Sequence, residues 1–292
     1  MERVIAVLVA ASALAVAQVE DNRVVSKRFP VSGAEPEIVV SIINGGIKVT
    51  AGAGNEVVLN AKVHYEAQDK AALDELEKNL RFDSEQRGNN VWIGVEGEDR
   101  GGSGWNRPRE FGWRKPPAGS DKPDGRRWRF RHDVELHVPR NAHLKLSTIN
   151  GGLIDVDGVA GEFQLSNVNG GIDVKHAGGF GKAKTVNGAI SMGFDKTPGG
   201  PSGAKTVNGA IKMYLAKNVS ADFKFKTVRG SVYSDFAPAG QPAVPAAVPI
   251  EERGMKRIWS TDRSRTLRVG QGGPVIEAEG VNTDIHVYEA KN

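Results

Sequence analysis

The chain contains no cysteine. That excludes disulfides, thiolate metal sites, a cysteine nucleophile and a lipid-bearing N-terminal cysteine. It does not argue against export, because repeat folds take their stability from stacked neighbours. Long apolar runs are scarce as well: Val4–Ala15 is shorter than the roughly 20 residues a membrane-spanning helix needs, and no other stretch qualifies. A Gly-x-Ser-x-Gly elbow, a phosphate-cradling P-loop and a His-Glu-x-x-His helix are also missing. No enzyme centre, metal site or cofactor is therefore expected, and the chain reads as non-enzymatic.

What is present begins with a leader. Arg3 supplies a small positive n-region, Val4–Ala15 an apolar h-region, and Ala15-Val16-Ala17 a small-x-small cleavage site before Gln18. The expected plan is a signal peptide at 1–17 and one elongated domain at 18–292. The mature chain would be periplasmic, secreted or displayed at the cell surface, with no transmembrane segment after cleavage.

The domain is organised by a returning phrase. It reads TINGGLIDV at Thr148–Val156, NVNGGIDV at Asn167–Val174, TVNGAISM at Thr185–Met192, TVNGAIKM at Thr206–Met213 and TVRGSVYS at Thr227–Ser234. Counted on Asn150, Asn169, Asn187, Asn208 and Arg229, the spacings are 19, 18, 21 and 21 residues. INGGIKV at Ile43–Val49 and VNTDIHV at Val281–Val287 keep the same registry and are expected as the first and last copies. A period of about 20 residues signals stacked repeats.

Within each phrase two apolar residues after the Asn alternate with an outward one, as in Ile172/Val174 and Ile211/Met213. A second alternating strand precedes it, as in Leu144/Leu146 and Phe163/Leu165. The phase breaks at Asn-Gly, residues that tolerate positive φ and so suit a corner. The fold expected is all-β: a parallel β-solenoid, or β-helix-like array, of ~20-residue coils. Asn150, Asn169, Asn187 and Asn208 should form a structural ladder, as in stacked amide zippers. One short helix is expected over Asp69–Leu80, with Asp69 as its cap and Leu73, Leu76 and Leu80 on one face.

This pattern resembles the bacterial "putative adhesin" family of unknown function, the DUF4097 β-strand-repeat proteins. The resemblance runs from about Ile38 to the C-terminus and rests on the early INGG, VELHVP at Val134–Pro139 leading into LKLSTINGG, the tandem Asn-Gly phrases and TVRGSVYSDF. It implies a β-solenoid on an exported or envelope protein, with no established catalytic residues to carry over. The chain departs from the simplest form in its two insertions.

The first insertion, 98–131, holds ten Lys or Arg, five acidic residues and three tryptophans, Trp105, Trp113 and Trp128. Aromatics interleaved with cations suit anionic polymers, although a solvated loop packing on its own stem has the same composition. The second, 237–257, is Ala/Pro-rich and stiff. Lys184, Lys205 and Lys226 precede the phrases at intervals of 21 residues, so consecutive stacking would align them about 5 Å apart. Together with the tryptophans they are the candidate ligand-binding residues. An anionic envelope polysaccharide or another envelope protein is the expected partner, and nucleic acid is not. A formal charge of +4 suits any anionic partner.

Two acidic groupings support the alternative, a polysaccharide lyase or hydrolase on the same scaffold. Asp155 and Asp173 fall at equivalent outward positions one coil apart, near Ser191 and Lys212. Asp133, Glu135 and His137 share the outer face of one strand, where a metal trio is conceivable but solvated polar residues look the same.

Overall fold

In a computed structural model, residues 18–32, 35–96, 128–236, 251–252, 255–259 and 265–290 are described. The leader at 1–17, Trp105 and Trp113 lie outside them, as do most of the two insertions.

The chain opens with β1 (Val19–Pro30), β2 (Glu37–Ser41), β3 (Ile47–Gly52), β4 (Glu56–Ala67), α1 (Lys70–Asn79), β5 (Arg81–Arg87), β6 (Asn90–Glu96) and β7 (Trp128–Pro139). Four strand pairs follow: β8 (His143–Ser147) with β9 (Ile154–Asp157), β10 (Glu162–Ser166) with β11 (Ile172–Ala177), β12 (Phe180–Lys184) with β13 (Ile190–Phe194), and β14 (Ser202–Asn208) with β15 (Ile211–Leu215). Last come β16 (Ala221–Arg229), β17 (Val232–Ser234), β18 (Glu251–Glu252), β19 (Met255–Trp259), β20 (Arg265–Val269), β21 (Val275–Asn282) and β22 (Ile285–Glu289). The molecule is mostly β, with one helix and two mixed sheets, neither closed into a barrel.

Each phrase sends the strand before its Asn to one sheet and the strand after it to the other. The twelve-stranded sheet runs β1-β4-β7-β3-β9-β11-β13-β15-β22-β17-β19-β18, and the ten-stranded one β20-β16-β21-β14-β12-β10-β8-β2-β6-β5. Parallel register places identical residues together: Ile47, Ile154, Ile172, Ile190, Ile211 and Ile285 form one buried column, and Val49, Val156, Val174, Met192, Met213 and Val287 the next. Burying a side chain of this size contributes about 1.5–3 kcal/mol, and the period-2 alternation makes a one-residue slip expose the whole column.

Two expectations need correcting. The Val281–Val287 copy is not the last coil in space. β21 and β22 enter between β14/β15 and β16/β17, so the Asn208 copy is followed by the Asn282 copy and only then by the Arg229 copy. Spacing along the chain gives no spatial order once a long connection intervenes. Nor is pairing parallel throughout. At one end the long strands β1, β4 and β7 pair antiparallel, as do β5 and β6; at the other, β20 and β19 pair antiparallel with β16 and β17. These strands cover edges that would otherwise stay open to another chain.

Helix α1 packs its Ala72, Leu73 and Leu76 on the β4 end, joined by Leu80. The Asp69 carboxylate accepts from the Ala72 N–H at 2.7 Å, and the Tyr65 hydroxyl donates to the Leu80 carbonyl at 2.6 Å, so both helix ends are held.

Candidate functional site

The Asn-Gly corner is where the copies touch most closely. Each Asn side chain donates to the previous one: Asn150 to Asn44 (3.1 Å), Asn169 to Asn150 (2.9 Å), Asn187 to Asn169 (3.0 Å), Asn208 to Asn187 (2.9 Å) and Asn282 to Asn208 (2.7 Å). Asn44 passes its own N–H to the Phe130 carbonyl at 3.2 Å. Asn150, Asn169, Asn187 and Asn208 are thus engaged with one another, and the ladder extends one copy further at each end.

One glycine one or two residues after the Asn is packed too closely to carry a side chain in four of the copies. A Cβ on Gly152, Gly170, Gly188 or Gly209 would stand 1.8–2.2 Å from the glycine carbonyl of the preceding copy. That carbonyl accepts from a buried side chain at the start of the next phrase: Thr148 to Gly45, Asn167 to Gly152, Thr185 to Gly170 and Thr206 to Gly188, at 2.9–3.0 Å. The recurring Thr (Asn167 in one copy) and Gly of the phrases are therefore one hydrogen bond and one contact repeated along an axis.

The residue before each Asn faces outward. The main-chain N–H of Asn150, Asn169, Asn187 and Asn208 donates to the carbonyl of Ile43, Ile149, Val168 and Val186 at 2.8–2.9 Å, which aligns these side chains in a column. Val207, Val281 and Val228 continue it. Val186, Val228 and Val281 are 39–50% exposed, and the others are half-buried. An aliphatic stripe thus runs beside the exposed amide ladder. The alternation resets at the corner, so the pattern of the phrase does not show that these apolar residues face solvent.

The lysine column differs from expectation. Lys184 neighbours Lys205, but Glu279 lies between Lys205 and Lys226. Its carboxylate takes Lys205 at 3.0 Å and Lys226 at 3.4 Å. Lys205 holds Glu279 below the ordinary carboxylate range against the opposing effect of burial, with Lys226 adding to it. Three adjacent ammonium groups therefore do not occur, because the intercalated coil brings an acid into the register.

Trp128 is also displaced from its expected role. Residues 128–131 belong to β7 rather than to a loop, and the Trp128 side chain is buried in the core. The acids are paired. Lys175 lies 2.9 Å from Asp155 and 3.2 Å from Asp173, and both hold its ammonium pKa above the ordinary range. Asp133 is gripped by Arg131 at 2.6 Å and accepts from the Gly46 N–H, while Glu135 pairs with Lys48 at 3.1 Å.

At the Asn44 end of the ladder a cavity of about 640 Å³ is lined by His64, Glu66, Trp128, Arg129, Asn44 and Asn150, among others. Glu66 is nearly buried, with Arg129 at 3.6 Å and His64 at 3.9 Å. The repeat phrases supply Asn44, Asn150 and Gly151 to this cavity, but most of its wall comes from antiparallel β4 and β7, which carry no period. Further along β7, His132 is fully buried against Phe82, Phe130 and Tyr65, and burial pushes its pKa down to about 4. Its Nε2 lies 3.1 Å from the Tyr65 hydroxyl oxygen. Because that hydroxyl donates to Leu80, Nε2 must be the protonated nitrogen of the neutral ring.

Among the described residues no helix is long and apolar enough to cross a membrane. No family model matches the chain, and no curated protein does. Among solved structures, the chain is similar to a putative cell adhesion protein from Clostridium sporogenes ATCC 15579, at 12% identity and a TM-score of 0.38, over 92% of this chain and 100% of that one. It is also similar to a putative adhesin from Bacteroides fragilis NCTC 9343 (9%, TM-score 0.27, 92% and 97% covered) and to one from Parabacteroides merdae ATCC 43184 (10%, TM-score 0.26, 92% and 97% covered).

Proposed function

We propose that the chain is a non-enzymatic, exported interaction scaffold of the cell envelope or surface. On this reading its repeat array is a β-solenoid of the DUF4097 type, and the aliphatic stripe beside the Asn ladder is where a partner docks. The observation that supports it is that stripe: Ile43, Ile149, Val168, Val186, Val207, Val281 and Val228 in one line, rimmed by amides. A contiguous apolar strip with a polar rim is the usual mark of a protein contact. It favours another envelope protein over an acidic polysaccharide, whose expected lysine row is broken by Glu279. The closure of Asp155 and Asp173 onto Lys175 likewise argues against their use as an acid/base pair in a carbohydrate-active enzyme.

The test is affinity capture from envelope extracts with the chain beginning at Gln18, wild type against Val186→Lys/Val228→Lys. Both positions are exposed, so the variant should fold. A protein partner held by wild type, insensitive to moderate salt and weakened at least tenfold in the variant would support the reading. Salt-sensitive retention of acidic glycans equal in both proteins would overturn the stripe as the contact, and turnover of a glycan would restore the enzyme alternative.

A further inference from the structure

The 21-residue step that carries Asn187 to Asn208 also carries Asn208 to Arg229. By that period, the coil of β16 and β17 should stack directly on the coil of β14 and β15. Instead the C-terminal coil, β21 with β22, is wedged between them, and it is the least well satisfied coil of the array. Where five other phrases place Thr148, Asn167, Thr185, Thr206 or Thr227, it has Gly280, which has no side chain to donate to the Gly209 carbonyl. The Gly209 N–H reaches the Asn282 carbonyl at 3.4 Å, whereas the equivalent bonds elsewhere measure 2.9–3.1 Å. Thr283 turns inward into the space a side chain on Gly280 would fill, and its Oγ1 is buried with no hydrogen-bond partner. The Nδ1 of His286 is buried unpartnered as well. Orphaned polar atoms of this kind weaken the attachment of the element that carries them.

The slot itself is specific for this coil. Glu279 fits between Lys205 and Lys226, Ile285 between Ile211 and Val232, and Asn282 extends the amide ladder from Asn208. Coil and slot are joined by a turn, 270–274, in which Gly270, Gly272 and Gly273 all take positive φ. This turn carries the chain from β20, on the outer side of β16, to β21 on its inner side. Such a turn is a natural hinge, and opening a hinge to hand an identical element to a neighbour is a low-cost route to a dimer.

We propose that residues 275–289 form an exchangeable wedge, and that the slot between coil 202–215 and coil 221–234 accepts the same wedge from a second copy of this chain. Every contact of the wedge with its slot is kept in the exchanged pair, and only the turn has to open. A scaffold linked this way presents its stripe twice, which raises avidity without any change in intrinsic affinity.

The absence of cysteine makes the test clean. Ala204 and Ala278 are in-register neighbours, both buried, so thiols placed there meet only when a wedge fills a slot. Neighbouring strands put their Cα atoms about 5 Å apart, within disulfide range. The full-length chain as Ala204→Cys is mixed with the full-length chain as Ala278→Cys, incubated at high concentration and oxidised with diamide. A covalent heterodimer is expected from this pair and not from Ala183→Cys with Ala278→Cys, which are a coil further apart. Adding Glu279→Gln to the Ala278→Cys chain should speed heterodimer formation about fivefold, because removing both lysine pairs eases release of the wedge, and should leave the final yield unchanged. The double variant Ala204→Cys/Ala278→Cys should close within one chain at low concentration. Intramolecular closure without any heterodimer would show the wedge to be fixed and overturn exchange. Failure of intramolecular closure, or equal cross-linking of the Ala183 control, would overturn it too.

Discussion

Adding one methyl group at Gly188 should unstack the array locally. A Cβ there would lie 2.2 Å from the Gly170 carbonyl oxygen and 2.5 Å from its carbon. No backbone strain enters, because Gly188 is not among the glycines with positive φ. The two coils would have to separate by about 1 Å to restore ordinary contact, where neighbouring strands normally sit about 4.8 Å apart. Four hydrogen bonds cross that gap: Gly170 N–H to the Asn187 carbonyl, Asn187 N–H to the Val168 carbonyl, the Asn187 amide to Asn169, and the Thr185 hydroxyl to the Gly170 carbonyl. Weakening three of them at about 1 kcal/mol each, with some overpacking strain, gives about 3–5 kcal/mol. For a domain of this size that is a fall in Tm of roughly 10 °C. Gly199→Ala is the control, since its Cβ meets nothing within 4 Å. Circular dichroism melts of the three proteins decide the matter. A Gly188→Ala protein melting within about 2 °C of wild type would mean the corners are not packed glycine on carbonyl.

Thr206→Val should cost about 1–3 kcal/mol by leaving the Gly188 carbonyl without its donor, whereas Thr206→Ser should stay near wild type in urea titration. Ile190→Asp should abolish cooperative unfolding because it buries an unpaired carboxylate, while Ser191→Asp, one residue along and half-exposed, should be mild by the same melt. His132 should make the fold acid-sensitive. The folded ring stays neutral until about pH 4 while the unfolded one protonates near 6.5, so stability present above pH 6.5 is lost as pH falls towards 4, by about 3 kcal/mol in all. His132→Phe, which keeps the ring among Phe82, Phe130 and Tyr65, should flatten the dependence of the urea midpoint across that window.

How much of this was legible in the sequence depends on which interaction repeats. The inner columns through Ile172, Ile190 and Ile211 and the amide ladder were readable because parallel stacking maps a period in sequence directly onto a distance in space. The glycine carbonyl that a phrase-initial Thr, or Asn167, satisfies was hidden in the same phrases; only the close approach of neighbouring copies shows why both the donor and the glycine are needed. The place of Asn282 was not readable, since its registry fits any position in the stack, and what favours its actual neighbours is the charge of Glu279 between two lysines. The place of Trp128 is not marked by composition, because β7 begins inside the Arg-rich run, with Trp128 packed on the β4 end. The cavity by Glu66 and His64 comes from antiparallel pairing of distant strands, which leaves no period to find.

The amide ladder also has an electrical direction. Every Asn from Asn282 back to Asn44 donates its N–H the same way, so the side-chain dipoles add head to tail and polarise one another. The row ends with its hydrogen side on the Phe130 carbonyl. At the opposite end it turns an amide oxygen toward the next position in the register, which Arg229 occupies in place of an Asn. With Arg229 there, no sixth amide–amide bond forms, and the aligned dipole of the row runs from Asn282 to Asn44 and stops one copy short of the end of the stack.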